Sequence, residues 1–481
     1  MNFVIVRYLI GWMLGIESIF LLLPALTAVI YGEPELPAYL IAAAISLAGA
    51  ALLCHRKPKN TRFYAREGYV TVALCWLILA VIGALPFVLS REIPFFIDAL
   101  FETVSGFTTT GATILSDVEA LSHASMLWRC LTHWVGGMGV LVFMLIVLPL
   151  AGGQTIFLMR AESPGPSVSK MSPHMRDTAT ILYAIYFGLT VLQMILLLIG
   201  GMPFFDAICV SLGTAGTGGF GNWNDSIAHY NSAYLQNVIT VFMILFGINF
   251  SAYFLILTRK FRQAFRIEEI RVYLGVIFVF AGLIAFNVRP MFGSLRESFH
   301  HALFQVASII TTTGFSTVDF DQWPTFSRAL LVLLMFIGAC AGSTGGGMKC
   351  SRILLLGKSV KKELMCLIHP RLVRVNKMDG QRVPHEVMRS INVFVVAYAF
   401  IFILSLLIIS LNCEDLVTCF TSVATTLNNV GPGLSLCGPT CNFDFFPPLS
   451  KCVLIFDMLA GRLELFPMLL LFTPGTWQRN K

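Results

Sequence analysis

Charge is what this sequence has least of. Asp, Glu, Lys and Arg make up 12% of its 481 residues against 56% for apolar ones, and mean hydropathy is +0.78. Such a chain cannot cover a water-facing surface, which excludes an ordinary soluble enzyme. It also lacks a Gly-Pro-Ser-rich linker or low-complexity block, so it reads as one integral membrane domain. No small-residue cleavage pattern follows the first apolar run, which is therefore expected to stay as a span. The twelve cysteines include no Cys-x-x-Cys pair and the nine histidines no cluster, so no zinc site is indicated. Phosphate-cradling Gly-x-x-x-x-Gly-Lys-Ser/Thr spacing is missing too.

The formal net charge of +7 would suit nucleic acid, but the placement of the charges argues against it. Lys and Arg collect at residues 56–66, 160–176, 259–271 and 349–389; with Arg7, Arg479 and Lys481 they give 26 of the 33. These segments alternate along the chain with acidic ones carrying Glu33, Glu35, Asp98, Glu102, Asp206 and Asp415. By the positive-inside rule the basic side, with both termini, is cytoplasmic. Basic charge is thus a topology signal, and no nucleic-acid partner is expected. Cys413, Cys437 and Cys441 fall on the opposite side, where oxidation is chemically open to them.

What the chain has in quantity is apolar runs of about twenty residues, enough for a helix to cross a bilayer. Two, near residues 8–30 and 36–53, form an accessory pair, with Glu17 expected to face the bundle. Four units follow, each a span, a short apolar segment, a glycine-centred turn and a second span. The short segments, near residues 97–108, 205–217, 299–313 and 416–428, are too short to cross and must enter and return on one face. Such backbone is tolerated only when buried in protein or lining water. The count is ten full spans and four half-spans. The boundaries are 1–60 for the accessory pair and 61–160, 161–265, 266–385 and 386–481 for the units.

The four turns carry the chemistry. They read Val104-Ser-Gly-Phe-Thr-Thr-Thr-Gly-Ala-Thr113, Ser211-Leu-Gly-Thr-Ala-Gly-Thr-Gly-Gly-Phe220, Ser308-Ile-Ile-Thr-Thr-Thr-Gly-Phe315 and Ala424-Thr-Thr-Leu-Asn-Asn-Val-Gly-Pro-Gly433. Aligned on Gly111, Gly218, Gly314 and Gly431 they repeat at 107, 96 and 117 residues. Glycine reaches positive φ without steric cost, so successive carbonyls can point one way. Four such turns around an axis would replace the hydration shell of a monovalent cation with carbonyl oxygens. The expected filter is Thr108, Thr109, Thr110, Gly111; Ala215, Gly216, Thr217, Gly218; Thr311, Thr312, Thr313, Gly314; and Asn428, Asn429, Val430, Gly431. Asp98 and Glu102 at the outer mouth would concentrate cations. Glycines serving only close helix packing are the alternative.

Two features break the apolar rule of the later spans. Residues 338–347, Gly-Ala-Cys-Ala-Gly-Ser-Thr-Gly-Gly-Gly, cannot sustain a regular helix. Gly338, Gly342, Ser343, Thr344, Gly345, Gly346 and Gly347 are therefore expected to form an irregular loop under the filter, a candidate gate. Arg462, flanked by Asp457 and Glu464, is costly in a span unless it is paired or faces water. It would be a fixed electrostatic barrier and a partner of that loop, or else a structural ion pair with either neighbour. A gated, channel-like pore for a monovalent cation is the leading reading. A K+ or Na+ transporter coupled to protons is the alternative, since transporters also break helices at midplane. No nucleophile or metal set accompanies His133, His300 and His301, which read as packing residues, so no enzyme is expected.

With these motifs, together with Gly-Arg-Leu-Glu-Leu-Phe at 461–466, the chain resembles the TrkH/TrkG type of transmembrane subunit of bacterial Trk potassium-uptake systems, within the TrkH/KtrB/HKT superfamily, over nearly its full length. The extra N-terminal pair favours this type over the shorter KtrB type. The resemblance implies an all-α fold of four membrane-pore-membrane repeats, potassium (with Rb+) as the ion, the gate at 338–347 and the pore arginine at Arg462. It further implies an inner-membrane homodimer gated by a cytosolic TrkA-type ring. Nucleotide, ATP/ADP or NAD, would bind that partner and not this chain. Residues 349–389 would dock the ring or meet anionic lipid. One departure is Ala215-Gly216-Thr217, more glycine-rich than the family usually shows.

Overall fold

The computed structural model describes residues 1–58, 65–139, 175–371 and 375–477. Most of the expected basic segment at 160–176 and of the second span of unit one lies outside these residues, as do Arg479 and Lys481. The fold is all-α. Helices α1 (Phe3–Tyr31) and α2 (Leu36–Cys54) form the accessory pair, tied by Ser46 Oγ to the Leu14 carbonyl at 2.8 Å and Ser18 Oγ to the Ala43 carbonyl at 3.1 Å. Unit one is α3 (Ala65–Ser90), the short α4 (Phe96–Phe107) and α5 (His123–Gly137). Unit two is α6 (Met175–Ile199), the short α7 (Phe204–Gly216), then α8 (Ala233–Phe246) and α9 (Phe250–Leu257). Unit three is α10 (Glu268–Val288), the short α11 (Leu295–Ile310), α12 (Thr325–Ile337) and α13 (Cys350–Ile368). A two-stranded hairpin, β1 (Lys377–Met378) with β2 (Gln381–Arg382), precedes unit four, which is α14 (His385–Ile409), the short α15 (Leu416–Asn428) and α16 (Pro448–Arg462).

Six helices among the described residues are long and apolar enough to cross a membrane, or seven counting α8 with α9 as one span. The expectation of continuous second spans needs correction in units two and four, whereas the break in unit three is the one the sequence predicts. In units two to four the second helix breaks: α8 and α9 meet at 94°, α12 gives way to residues 338–349, and α16 stops before Glu464 and Leu465, both at positive φ. Local chemistry accounts for each break. Asn249 caps α9 by accepting from Ser251 N at 2.8 Å, glycine fills the third, and Pro467 opens a new turn after the fourth.

The units close into a ring through one recurring contact. The second helix of each unit packs on the short helix of the next: α5 on α7, α8 on α11, α12 on α15, and α16 back on α4. Polarity is reversed relative to a soluble fold. Phe286, Phe400 and Leu407 are exposed on the outside, while Thr108, Thr109, Thr110, Thr311, Thr312, Thr313, Asn428 and Asn429 are fully buried at the centre. This is the arrangement expected of a chain whose surroundings are hydrocarbon.

Candidate functional site

All four short helices end in the same hydrogen-bonded cap. Thr110 N donates to the Ser105 carbonyl (2.9 Å), Gly218 N to Gly213 (2.9 Å), Thr313 N to Ser308 (2.8 Å) and Val430 N to Thr425 (2.9 Å). Thr109, Thr217, Thr312 and Asn429, one residue earlier, sit at φ 55°, 55°, 58° and 55° and donate to Gly106, Thr214, Ile309 and Thr426. These paired bonds are the Schellman motif, with a non-glycine residue in the left-handed position. Two residues after each comes a glycine at positive φ: Gly111 (80°), Gly219 (81°), Gly314 (88°) and Gly431 (97°).

The register of unit two is therefore shifted by one from the sequence expectation. Gly219, not Gly218, matches the other three glycines, and the matched segment is 216–219, with Ala215 inside α7. Aligned this way the repeat intervals are 108, 95 and 117 residues. The glycine-rich departure at 215–217 has the same origin, since Gly216 stands where the other units have Thr108, Thr311 and Asn428. Periodicity offered three nearby glycines; the cap bonds select one.

The four turns touch in a closed circle. A Cβ on Gly111 would lie 2.0 Å from the Gly218 carbonyl oxygen, one on Gly219 2.0 Å from that of Thr313, one on Gly314 2.5 Å from that of Val430, and one on Gly431 2.7 Å from that of Thr110. Each glycine thus faces the carbonyl of the residue preceding its counterpart in the next unit. No side chain fits in any of these gaps without displacing a carbonyl. Polar side chains brace the ring from behind. Thr108 and Thr110 hydroxyls bond at 2.8 Å, Thr311 and Thr313 at 2.7 Å, and Asn429 Nδ2 donates to Thr110 Oγ1 at 2.9 Å across the join of units four and one. His133 joins units one and two: Nδ1 donates to the Gly106 carbonyl (2.7 Å) while Nε2 accepts from Phe220 N (3.2 Å).

A cavity of about 140 Å³ opens on one side of the ring, lined by Gly111, Gly219, Gly314 and Gly431. The acidic residues expected to charge its mouth do otherwise. Glu102 is 1% exposed and accepts from Thr113 Oγ1, Ile114 N and Arg129 Nε. Asp98 pairs with Lys451 at 2.6 Å. Both are neutralised structural groups; for Glu102, sealed from water, the counter-charge is a necessity, while Asp98 is only partly buried. Asp206 likewise fastens a loop, accepting from Asn222, Trp223 and Tyr230. Asp415 caps α15, and the hydroxyl of Thr418 foremost holds its carboxyl down to about 2. Cys413, Cys437 and Cys441 are free thiols. His300 meets Gln236 (2.7 Å) and His301 meets Thr317 (3.0 Å) as packing partners.

On the other side of the ring lies a cavity of about 70 Å³ lined by the 338–347 segment and Arg462. Gly338, Gly342 and Gly347 take positive φ, folding the chain back so that Gly338 and Gly347 meet. Ser343 Oγ closes the bend onto the Cys340 carbonyl at 2.6 Å. The tip presses against the turns: Gly346 N donates to Thr312 Oγ1 at 2.6 Å, and a Cβ on Gly345 would lie 2.9 Å from the Thr311 carbonyl. Arg462 donates to the carbonyls of Thr344 (2.8 Å), Gly136 (2.6 Å) and Gly137 (2.8 Å). Its sequence neighbours have other partners, Asp457 accepting from Ser405 at 2.7 Å and Glu464 pairing with Arg352 at 2.5 Å.

Comparison with known proteins agrees with this fold. Residues 37–478 match the family model TrkH, described as cation transport protein. The chain is 38% identical to the Trk system potassium uptake protein TrkH of Escherichia coli K12, covering 99% of this chain and all of that one. It is 33% identical to TrkG of the same organism, covering 98% of each. Against the crystal structure of the potassium transporter TrkH from Vibrio parahaemolyticus it has a TM-score of 0.90 at 32% identity, covering 99% and 100% of the two chains. The chain belongs to the TrkH family of membrane-spanning cation transport proteins.

Proposed function

We propose that this chain takes up potassium (with Rb+) through one channel-like pore, with the four turns as its selectivity filter and the 338–347 loop with Arg462 as its gate. The observation that carries this is the closed circle of glycines and carbonyls, centred between two cavities. A dehydrated monovalent cation needs several oxygen ligands at once, and converging backbone carbonyls provide them without charge. The short helices aim their C-terminal, electronegative ends at the same point. Immediately below, the loop tip and the Arg462 cation obstruct the axis. Potassium uptake is also what the named relatives are known for.

The orientation that suits this reading puts the 140 Å³ cavity outside an inner (plasma) membrane, with both termini and residues 349–389 in the cytoplasm. That basic face would receive a TrkA-type ring carrying ATP/ADP or NAD, with two copies of this chain forming a homodimer. A proton-coupled transporter is the second reading, and buried carboxylates favour it. Glu17 is 3% exposed beside Phe107 and Trp128, with neither oxygen hydrogen-bonded among the described residues; Asp457 is fully buried with one oxygen unbonded.

One measurement separates them: radioactive Rb+ uptake into K+-loaded liposomes, competed by external K+ or Na+, with and without a pH gradient. The pore reading expects competition by K+ and not Na+, indifferent to the gradient. Uptake that requires the gradient would replace it with the coupled one.

A further inference from the structure

We propose that Glu269 is the clasp that holds the intramembrane loop at rest, a role that rests on the loop being the gate. Glu269 is the second residue of α10 and is 3% exposed. Its Oε1 accepts from Ala341 N at 2.7 Å and from Ser351 N at 3.0 Å. Those two amides stand on either side of residues 342–347, so a single carboxylate oxygen ties together the two ends of the loop. In an uninterrupted helix each amide would bond a carbonyl one turn back; here each is surrendered to a side chain on another helix. The loop cannot straighten or swing aside without giving up both bonds at once. Bonds from amides to a buried carboxylate are among the stronger hydrogen bonds a protein makes. Lys349, also buried, holds the tip by donating to the Gly345 carbonyl.

The helix carrying the clasp is itself gripped from the basic face. Asp379, in the turn of the β1–β2 hairpin, accepts from Glu268 N at 2.7 Å. Lys358 of α13 bonds the Glu268 carboxylate and, at 2.7 Å, the Lys377 carbonyl. Lys377, Asp379, Gly380, Gln381 and Arg382 are exposed. Displacing the hairpin therefore moves the start of α10, and with it the carboxylate that closes the loop. Glu269 is a positioning residue, since it touches neither the filter turns nor the ion path between them.

The test is Rb+ flux through the full-length protein in liposomes with no partner present. Glu269→Ala is expected to raise flux about tenfold, the shift that follows loss of a charge-assisted hydrogen bond, with Rb+/Na+ preference unchanged. Glu269→Gln keeps an oxygen acceptor in place and should fall between the two, which also covers the case in which the alanine variant does not fold. Asp379→Ala should shift flux in the same direction by less. Deletion of Gly345 and Gly346 is the comparison that touches the loop itself. If the deletion raises flux and both Glu269 variants match the parent, the clasp is wrong and the gate stands. If the deletion leaves flux unchanged, the gate reading fails and takes the clasp with it. Loss of ion preference in Glu269→Gln would make the residue a support of the filter and overturn the proposal.

Discussion

Arg129 and Glu102 form an ion pair sealed within the first unit, Nε to Oε1 at 2.8 Å with side chains 2% and 0% exposed. The pair joins three elements. Glu102 belongs to α4 and also holds Thr113 and Ile114 just beyond the first glycine turn, while Arg129 lies 4.1 Å over the ring of Phe220 in unit two. Arg129→Met would leave a buried carboxylate without its cation, which costs roughly 3–5 kcal/mol. The single variant should lose thermal stability and Rb+ flux together, and Glu102→Gln with Arg129→Met should recover part of the stability. A double variant no better than the single would show that the pair does not act as a unit.

The register of unit two makes a sharper claim. Gly219→Ser and Gly314→Ser should both let Na+ compete with Rb+, because each new Cβ displaces a neighbouring unit's carbonyl. Gly218→Ala differs, as its Cβ would meet the His133 ring at 2.2 Å and disturb the brace. Unchanged ion competition in Gly219→Ser with a strong effect in Gly218→Ala would restore the alignment drawn from sequence alone.

Under the proposed gate, removing the Arg462 cation should open the path. Arg462 holds carbonyls of the loop and of α5 and is partly exposed, so its bonds count at the low end of the ~1.5–3 kcal/mol range for charged groups. Arg462→Ala is expected to raise basal Rb+ flux roughly tenfold. Arg462→Lys should act partway, since one ammonium cannot reach both sites as a planar fork does. Flux equal to the parent in both would remove Arg462 from the gate.

Asp415 gives a pH signature. Its folded-state value, about 2, lies below the ordinary aspartate value of 3.8, so its contribution to stability is present above 3.8 and fades as pH falls toward 2. The thermal stability of Asp415→Asn should trail the parent by a small constant amount at neutral pH, the group being partly exposed, and converge with it in acid. A gap that widens on acidification would contradict the cap.

Much of this was legible in the chain itself. Local periodicity and composition are enough to expose the accessory pair, the four short helices, the glycine-rich interruption at 338–347 and an arginine out of place at 462. The short helices fall close to where apolar length put them, as with Leu416–Asn428. These are properties of contiguous segments, and hydrocarbon surroundings leave such segments few alternatives.

Only the tertiary structure decided the rest, because it depends on atoms brought together from distant parts of the chain. Gly216, Gly218 and Gly219 are equivalent to any reading of composition; a Cβ on either of the first two would strike His133, and only Gly219 faces the carbonyl of Thr313, nearly a hundred residues away. Glu102 and Asp98 look like mouth charges until Arg129 and Lys451 arrive to neutralise them. Glu269, an ordinary acid at the start of a helix, becomes a clasp only when the loop folds its two amides onto one oxygen. Sequence determined the helices and the turns, and three-dimensional proximity determined which carbonyls, charges and amides answer one another.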